Sequence, residues 1–138
     1  MNCAAISEIT GYECYPLNSD DTVAQIETPF KFEDGDDIPA YVELGADSVQ
    51  FFDDGEVYDH FAGRGLFFGK DYDIGFLSEI AASNGVSFSD KCIIEIAAMP
   101  QDAAAAFAKY MAAMLAFVSW EKTWEANMQD ETPVSVAK

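Results

Sequence analysis

The spacing of hydrophobic residues near the N-terminus changes from a helical to a strand pattern. Cys3, Ile6 and Ile9 fall on one face of a predicted helix over 2–10, which Gly11 ends. The runs that follow, YECYPL and TVAQIETPF, have the composition of β-strands. The pattern therefore predicts a short helix and then two strands.

The middle of the chain predicts a hairpin, two helical segments and a further pair of strands. IPAYVEL and DSVQFFD are β-prone runs separated by Gly45-Ala46, and Asp53-Asp54-Gly55 ends the second run with a turn. EVYDHFAGRG then predicts one or two helical turns. DIGFLSEIAASNG predicts a helix capped by Asp73 and stopped by Asn84-Gly85. VSFSDKCIIEIAAM predicts strand, turn and strand.

The last predicted element is a long helix over Gln101–Met128, with large apolar residues at three- and four-residue spacing. These elements predict an α+β fold: a small antiparallel sheet packed against helices, with a long C-terminal helix. We expect residues 1–128 to form a single domain. The polar end QDETPVSVAK has no helical stripe, so 129–138 is predicted to be a disordered tail.

The long helix carries a face of small residues opposite its apolar stripe. Such a face permits close approach of another helix, so we expect a possible homodimer through this helix. The alternative explanation is that alanine is simply the best helix former. The residues of this face are Ala105, Ala108, Ala112 and Ala116.

The apolar segment Ala103–Trp120 raises the question of a membrane span. Lys109 lies near its middle, where a charge costs about 3 kcal/mol on insertion scales. Much of the segment is alanine, and it is short for a span. We therefore predict a buried helix of a soluble domain.

The net charge of the chain restricts the classes of partner that it can bind. The chain has 25 acidic and 7 basic residues, a formal net charge of −18. Direct binding to nucleic acid or to an anionic membrane is disfavoured, because both need Lys and Arg. A basic surface, approached in a salt-dependent way, is the favoured partner.

Cysteine usage predicts a compartment. Cys3, Cys14 and Cys92 are odd in number and lack a CxxC spacing, which argues against a disulfide framework and a cysteine zinc site. The N-terminus lacks the basic region of a secretory signal. Free thiols without a signal predict a cytoplasmic protein.

Three short motifs carry a family resemblance: Thr28-Pro29-Phe30, Asp53-Asp54-Gly55 and Asn84-Gly85-Val86, followed by a helix to Trp120. With this TPF…DDG…NGV pattern, the chain resembles an uncharacterised bacterial and prophage domain family over roughly Ile26–Trp120. The resemblance implies small cytoplasmic proteins that mobile elements often carry. It implies no activity and assigns no residue a role.

Catalytic and metal-binding patterns are weak. His60 is the one histidine, and its neighbour Asp59 is badly placed to orient it, so we expect a surface or partly buried histidine. The acidic turns around Gly35 and Gly55 do not match a calcium loop, although weak Ca²⁺ binding is plausible where they converge. GRGLFFGK lacks the Ser/Thr of a phosphate loop. No catalytic residue, dedicated metal site or cofactor is predicted.

The distribution of acids is the strongest remaining signal. From Asp20 to Asp59 there are 13 acidic residues and one base, Lys31. Crowded carboxylates can imitate a nucleic-acid backbone, and the competing explanation is solubility. We expect a non-enzymatic binding protein of phage or mobile-element origin that inhibits a nucleic-acid-binding enzyme, as anti-CRISPR or anti-restriction proteins do. The predicted partner-binding residues are Asp34, Asp36, Asp37, Asp53, Asp54 and Glu56.

Two alternatives stay open. One is an antitoxin-like or regulatory module that docks through its C-terminal helix, with Trp120 and Trp124 as anchors. The other is an enzyme that uses His60 with a nearby cysteine.

Overall fold

The computed structural model describes the backbone of residues 1–64 and 75–137 and the side chains of 1–64 and 75–124. The helices are α1 (Cys3–Thr10), α2 (Glu56–Gly63), α3 (Gly75–Ser83) and α4 (Ala103–Ala137), the last preceded by a 3-10 turn at Pro100–Asp102. The strands are β1 (Glu13–Pro16), β2 (Val23–Glu27), β3 (Tyr41–Leu44), β4 (Val49–Phe52), β5 (Ser87–Phe88) and β6 (Ile94–Ala98).

The described strands form one antiparallel sheet in the order β1-β2-β3-β4-β6-β5. Alternate residues of the central strands are buried, including Ile26, Val42 and Phe51. Helix α4 packs on β4 and β6, with α1 and α3 beside it. The predicted α+β fold, with an antiparallel sheet, helices and a long C-terminal helix, is confirmed.

Local sequence signals explain where α1 begins and ends. Asn2 caps it, since the Asn2 side chain accepts a hydrogen bond from the Ala5 N–H at 2.9 Å. Gly11 ends it with φ of 81°, and its N–H donates to the Ser7 carbonyl at 2.9 Å. Both boundaries of the predicted helix are thus confirmed within one residue.

The prediction of three free thiols is wrong, because Cys3 and Cys14 form a disulfide and only Cys92 is free. The turn at Gly11 reverses the chain between α1 and β1, and the two Cα atoms come within 5.4 Å. Sequence spacing does not reveal that approach. The predicted cytoplasmic location therefore loses one of its two arguments.

Helix α4 is the central core helix. Tyr110, Met114 and Phe117 are fully buried against the rest of the fold. By length and composition alone, the described stretch Pro100–Trp124 could cross a membrane, with 44% of its most apolar window buried in the fold. The large side chains of this stretch pack against the sheet, as those of a core helix do.

One expectation differs from the structure, and two others fall wholly or mostly on residues that the structure does not describe. The backbone of α4 continues helically to Ala137, through 129–137, where a disordered tail was predicted. Extending an existing helix costs far less than starting one, so an apolar stripe is not needed for continuation. The proposed Asp73 cap and most of GRGLFFGK lie outside the described residues.

Candidate functional site

The site begins with the loop between β2 and β3. Phe32 is buried and anchors the loop, while its N–H donates to the Asp36 carbonyl at 2.8 Å. Lys31 and Asp37 pair across the loop through an isolated bridge and an exposed ion pair. Gly35, with φ of 93°, makes the reversal between them. The loop is thereby held in one shape despite its charge.

That shape directs two carboxylates towards one point. The Asp36 N–H donates to Asp34 Oδ1 at 3.0 Å, which leaves Asp34 Oδ2 available. Asp34 Oδ2 lies 3.8 Å from Nδ1 of His60, and Asp36 Oδ2 lies 3.2 Å from the same nitrogen. The acidic loop and helix α2 therefore meet at the imidazole.

His60 is buried, contrary to the expected surface or partly buried histidine, with its side chain 4% exposed. Its ring stacks on Phe32 at a centroid distance of 3.8 Å and 15° between planes. On its other edge, Nε2 lies 2.5 Å from Glu121 Oε2. The ring is held on its face by stacking and on both nitrogens by carboxylates.

Glu121 is fully buried and supplies the far side of the cluster. Its Oε1 accepts the Glu33 N–H at 3.2 Å, and its Oε2 lies 3.1 Å from Nη1 of Arg64. A buried carboxylate needs such partners, because desolvation of an unpaired charge is very costly. Helix α4, helix α2 and the β2–β3 loop are therefore joined through one side chain.

The electrostatics of Asp34 fit this arrangement. Burial disfavours its charged form, but hydrogen bonding from Asp36 and the electrostatic effects of His60 and Arg64 outweigh that cost and lower its pKa. Asp34 is accordingly ionised at neutral pH and is available as an anionic ligand.

A cleft of about 510 Å³ opens beside the imidazole. None of the described residues that line it is a Lys, an Arg or a Cys. Its walls combine acids with apolar and neutral polar groups: Gln25, Phe32, Asp36, Asp37, Ile38, Pro39, Tyr41, Glu56, Asp59 and His60. The cleft can therefore accept a cationic group and shelter it on an apolar floor.

The cleft joins the solvent-exposed face of the sheet. Gln25 and Tyr41 are paired neighbours on β2 and β3, and they point away from the core. Further acids lie on the same sheet face, and Glu13 is directly opposite Glu27 in the register of β1 and β2. Like charges placed opposite each other destabilise a sheet. The acids of this face are Glu13, Glu27, Glu43 and Glu95.

The structure distributes the predicted partner-binding residues unevenly. Asp36, Asp37 and Glu56 line the cleft, and Asp34 lies beside it against His60. Asp54 is exposed, at φ of 57°. Asp34, Asp36, Asp37 and Glu56 therefore converge on a concave site, whereas the sequence predicted only a shared acidic surface.

Asp53 is excluded from any partner surface, because it is fully buried. Its Oδ1 accepts the N–H groups of Gly55 at 3.0 Å and Ile94 at 2.8 Å, and its Oδ2 accepts that of Val57 at 2.9 Å. Burial raises its pKa to about 6, although these hydrogen bonds oppose the rise. Asp53 fastens the start of α2 to β6.

The other candidate residues have structural roles. Trp120 stacks on Phe76 with ring centroids 3.9 Å apart and contacts Phe61 edge-on, so it is engaged within the fold. Trp124 is half-buried. For the alternative of a His60–cysteine pair, the disulfide removes two of the three thiols, and the remaining Cys92 does not line the cleft.

Glu121 was missed by sequence reasoning. A signal for it exists, since Tyr110, Met114, Phe117 and Glu121 follow one another at spacings of four, three and four along the buried face of α4. An acid on a buried stripe implies a cationic or hydrogen-bonding partner. His60 and Arg64 are those partners.

Comparison with known proteins supports the resemblance noted in the sequence. No curated protein and no solved structure matches the chain. The family model described as Domain of unknown function DUF1828 matches residues 28–117, which include the three resemblance motifs, Asp34, Asp36 and His60. Glu121 lies just beyond the matched region. The chain therefore belongs to the family of Domain of unknown function DUF1828.

Proposed function

We propose that the protein is a non-enzymatic acidic binding protein whose cleft and exposed sheet face receive the basic surface of a nucleic-acid-binding enzyme. The observation that carries the proposal is a cleft with four acids and no lining Lys or Arg among the described residues, continuous with an acidic sheet face. Carboxylates in that arrangement complement a Lys/Arg-lined groove built for phosphates.

The cost of the arrangement favours a functional purpose. Asp37, Glu56 and Asp59 lie around one cavity, and Glu13 opposes Glu27, so like charges repel in the free protein. Solubility alone needs net charge and not its concentration around a concave surface. Binding a cationic partner would relieve that repulsion and would release counterions.

The concrete version is an inhibitor of a CRISPR effector or a restriction enzyme, carried by a phage or another mobile element. Support for the origin comes from the prophage family resemblance, and support for inhibition comes from the charge. Such an inhibitor competes with nucleic acid for one groove, so added DNA or RNA should displace it.

Neutralising the cleft tests this proposal. We expect the native protein to inhibit a susceptible nuclease of its host and to lose affinity steeply between about 50 and 200 mM salt. The variant Asp37→Asn/Glu56→Gln/Asp59→Asn should bind at least about 10-fold more weakly. Isothermal titration and cleavage assays measure both effects.

A matched control removes the same charge elsewhere. Asp20→Asn/Asp47→Asn/Asp90→Asn also neutralises three exposed acids, none of which lines the cleft. It should bind within about threefold of the native protein, because distant charges are screened. Equal weakening by both variants would mean that net charge alone acts, and no weakening by either would end the proposal.

Docking through α4 has less support. Trp120, one expected anchor, is stacked inside the fold, whereas Ala105, Ala108 and Ala112 are exposed. This alternative can be tested as association of two copies through that alanine face. Sedimentation of the native protein and of an Ala108→Glu variant measures that association.

A further inference from the structure

We propose that Asp34, Asp36 and His60 form a binding site for a divalent transition-metal ion of the zinc class, with Glu121 as the residue that positions the histidine. One ligand atom from each of the three residues lies within 4.8 Å of the other two. This proposal is independent of the partner-binding function proposed above.

The separations between ligand atoms suit one ion. Nδ1 of His60 is 3.2 Å from Asp36 Oδ2 and 3.8 Å from Asp34 Oδ2. Ligands about 2.0–2.2 Å from one zinc ion are about 2.8–3.6 Å apart in octahedral or tetrahedral geometry. The third separation, between the ligand oxygens of Asp34 and Asp36, is at most 4.8 Å, and both residues lie in an exposed loop that can adjust around an ion.

The orientation of His60 distinguishes this cluster from a simple group of acidic residues. Glu121 and Arg64 form an ion pair at 3.1 Å, so Glu121 is a hydrogen-bond acceptor, and Nε2 of His60 donates to it at 2.5 Å. Nδ1 is therefore the ring nitrogen that can bind a cation, and it faces the oxygens of Asp36 and Asp34 at 3.2 and 3.8 Å. A metal ion at this point would take the place of any proton on Nδ1, and that proton would be released to solvent.

The surroundings match those of metal-binding histidines. Such residues commonly donate their second N–H to a carboxylate, which fixes the tautomer and makes the ring a better ligand. Glu121 holds that position while it is itself held by the Glu33 N–H at 3.2 Å. The Phe32 ring, stacked at 3.8 Å, prevents the imidazole from rotating away.

The ligand set indicates the class of ion. One imidazole and two carboxylates suit Zn²⁺, Co²⁺, Mn²⁺ or Fe²⁺, while Ca²⁺ and Mg²⁺ favour oxygen ligands alone. Three protein ligands leave coordination positions for water or for a group that enters the adjacent cleft of about 510 Å³.

Titration of the full chain with Zn²⁺ alone, after chelator treatment, tests the site. We expect one ion per chain with micromolar or tighter affinity, and a shift of the His60 Nδ1 signal in nitrogen NMR. Asp34→Asn/Asp36→Asn should weaken binding more than about 10-fold, since both anionic ligands are lost. Co²⁺ should give the visible absorption of a protein-bound ion, and the same variant should lose it.

Controls separate this site from the other acids and from the thiol. Asp47→Asn removes an exposed carboxylate that does not line the cleft, and Cys92→Ser removes the free thiol, so both should bind Zn²⁺ as the native protein does. Glu121→Gln should weaken binding about 10- to 100-fold if it positions the ring.

Two results would overturn the proposal. The first is unchanged Zn²⁺ affinity in Asp34→Asn/Asp36→Asn. The second is no binding of Zn²⁺ at micromolar concentration, which would make the cluster a purely structural contact between the loop, α2 and α4. Neither result depends on finding a protein partner.

Discussion

Asp53 and Glu121 are both fully buried carboxylates, yet their partners differ in kind. Asp53 accepts hydrogen bonds from three backbone N–H groups and contacts no basic side chain among these bonds. Glu121 accepts one backbone N–H and lies against His60 and Arg64. The first joins secondary-structure elements, while the second supports a titratable ring at the wall of a cleft.

The comparison distinguishes a buried carboxylate that joins elements of the fold from one that contacts an ionisable side chain. Backbone donors cannot change protonation state and are fixed by the fold, so Asp53 serves the connection between α2 and β6. An imidazole can exchange its proton for a metal ion, so the Glu121 cluster has a chemistry that the Asp53 cluster lacks. The following substitutions test that distinction.

The largest loss of stability is expected from Asp53→Ala. It leaves two buried N–H groups and one partly buried N–H group without an acceptor, each buried one worth about 1–3 kcal/mol, so the free energy of unfolding should fall by about 3 kcal/mol or more. Urea denaturation measures it. Asp59→Ala, at an exposed position of α2, should change stability by less than about 0.5 kcal/mol. Similar losses in the two variants would contradict the assigned role.

Glu121→Ala should destabilise somewhat less, by about 2–3 kcal/mol. It removes the buried carboxylate that contacts His60 and Arg64, but the Arg64 side chain is 27% exposed and can be rehydrated in part. The same denaturation experiment measures the loss. A loss below about 0.5 kcal/mol would show that the cluster contributes little to stability and would confine Glu121 to positioning His60.

The pH dependence of Asp53 has a definite sign. Its pKa rises from 3.8 to about 6 on folding, mainly through burial, so the native state binds the proton more tightly. Its stabilising contribution is therefore present below about pH 4 and is lost as pH rises through about 6. Relative to Asp53→Asn, native stability should fall by about 2 kcal/mol between about pH 4.5 and 7.5. A constant difference between the two proteins would exclude the shift.

The smallest structural effect is expected from Asp36→Asn. The Asp36 side chain is 65% exposed, so its ion pair with His60 should contribute less than about 1 kcal/mol to stability. The same substitution should weaken Zn²⁺ binding severely. Of these variants it therefore distinguishes a metal-ligand role from a structural role most clearly. Thermal unfolding with and without Zn²⁺ measures both the stability and the binding. A large loss of stability in the absence of the ion would show that Asp36, like Asp53, has a structural role.

Local signals explain why much of the fold could be predicted. The cap at Asn2, the stop at Gly11 and the alternation in β3 and β4 each depend on residues close in sequence. The disulfide between Cys3 and Cys14 escaped prediction because its geometry depends on how α1 meets β1. The burial of Asp53 escaped it for a similar reason, since one of its donors, the Ile94 N–H, is on a distant strand.

The sequence by itself determined most of the secondary structure, the α+β class, the family and the concentration of acids between Asp20 and Asp59. Those properties follow from local spacing, turn residues and composition. Only the tertiary structure decided that Asp36, His60 and Glu121 meet, because 61 residues separate His60 from Glu121 and no periodicity links them. Packing of α4 across the sheet closes that distance and turns a run of acids into a cleft around one histidine.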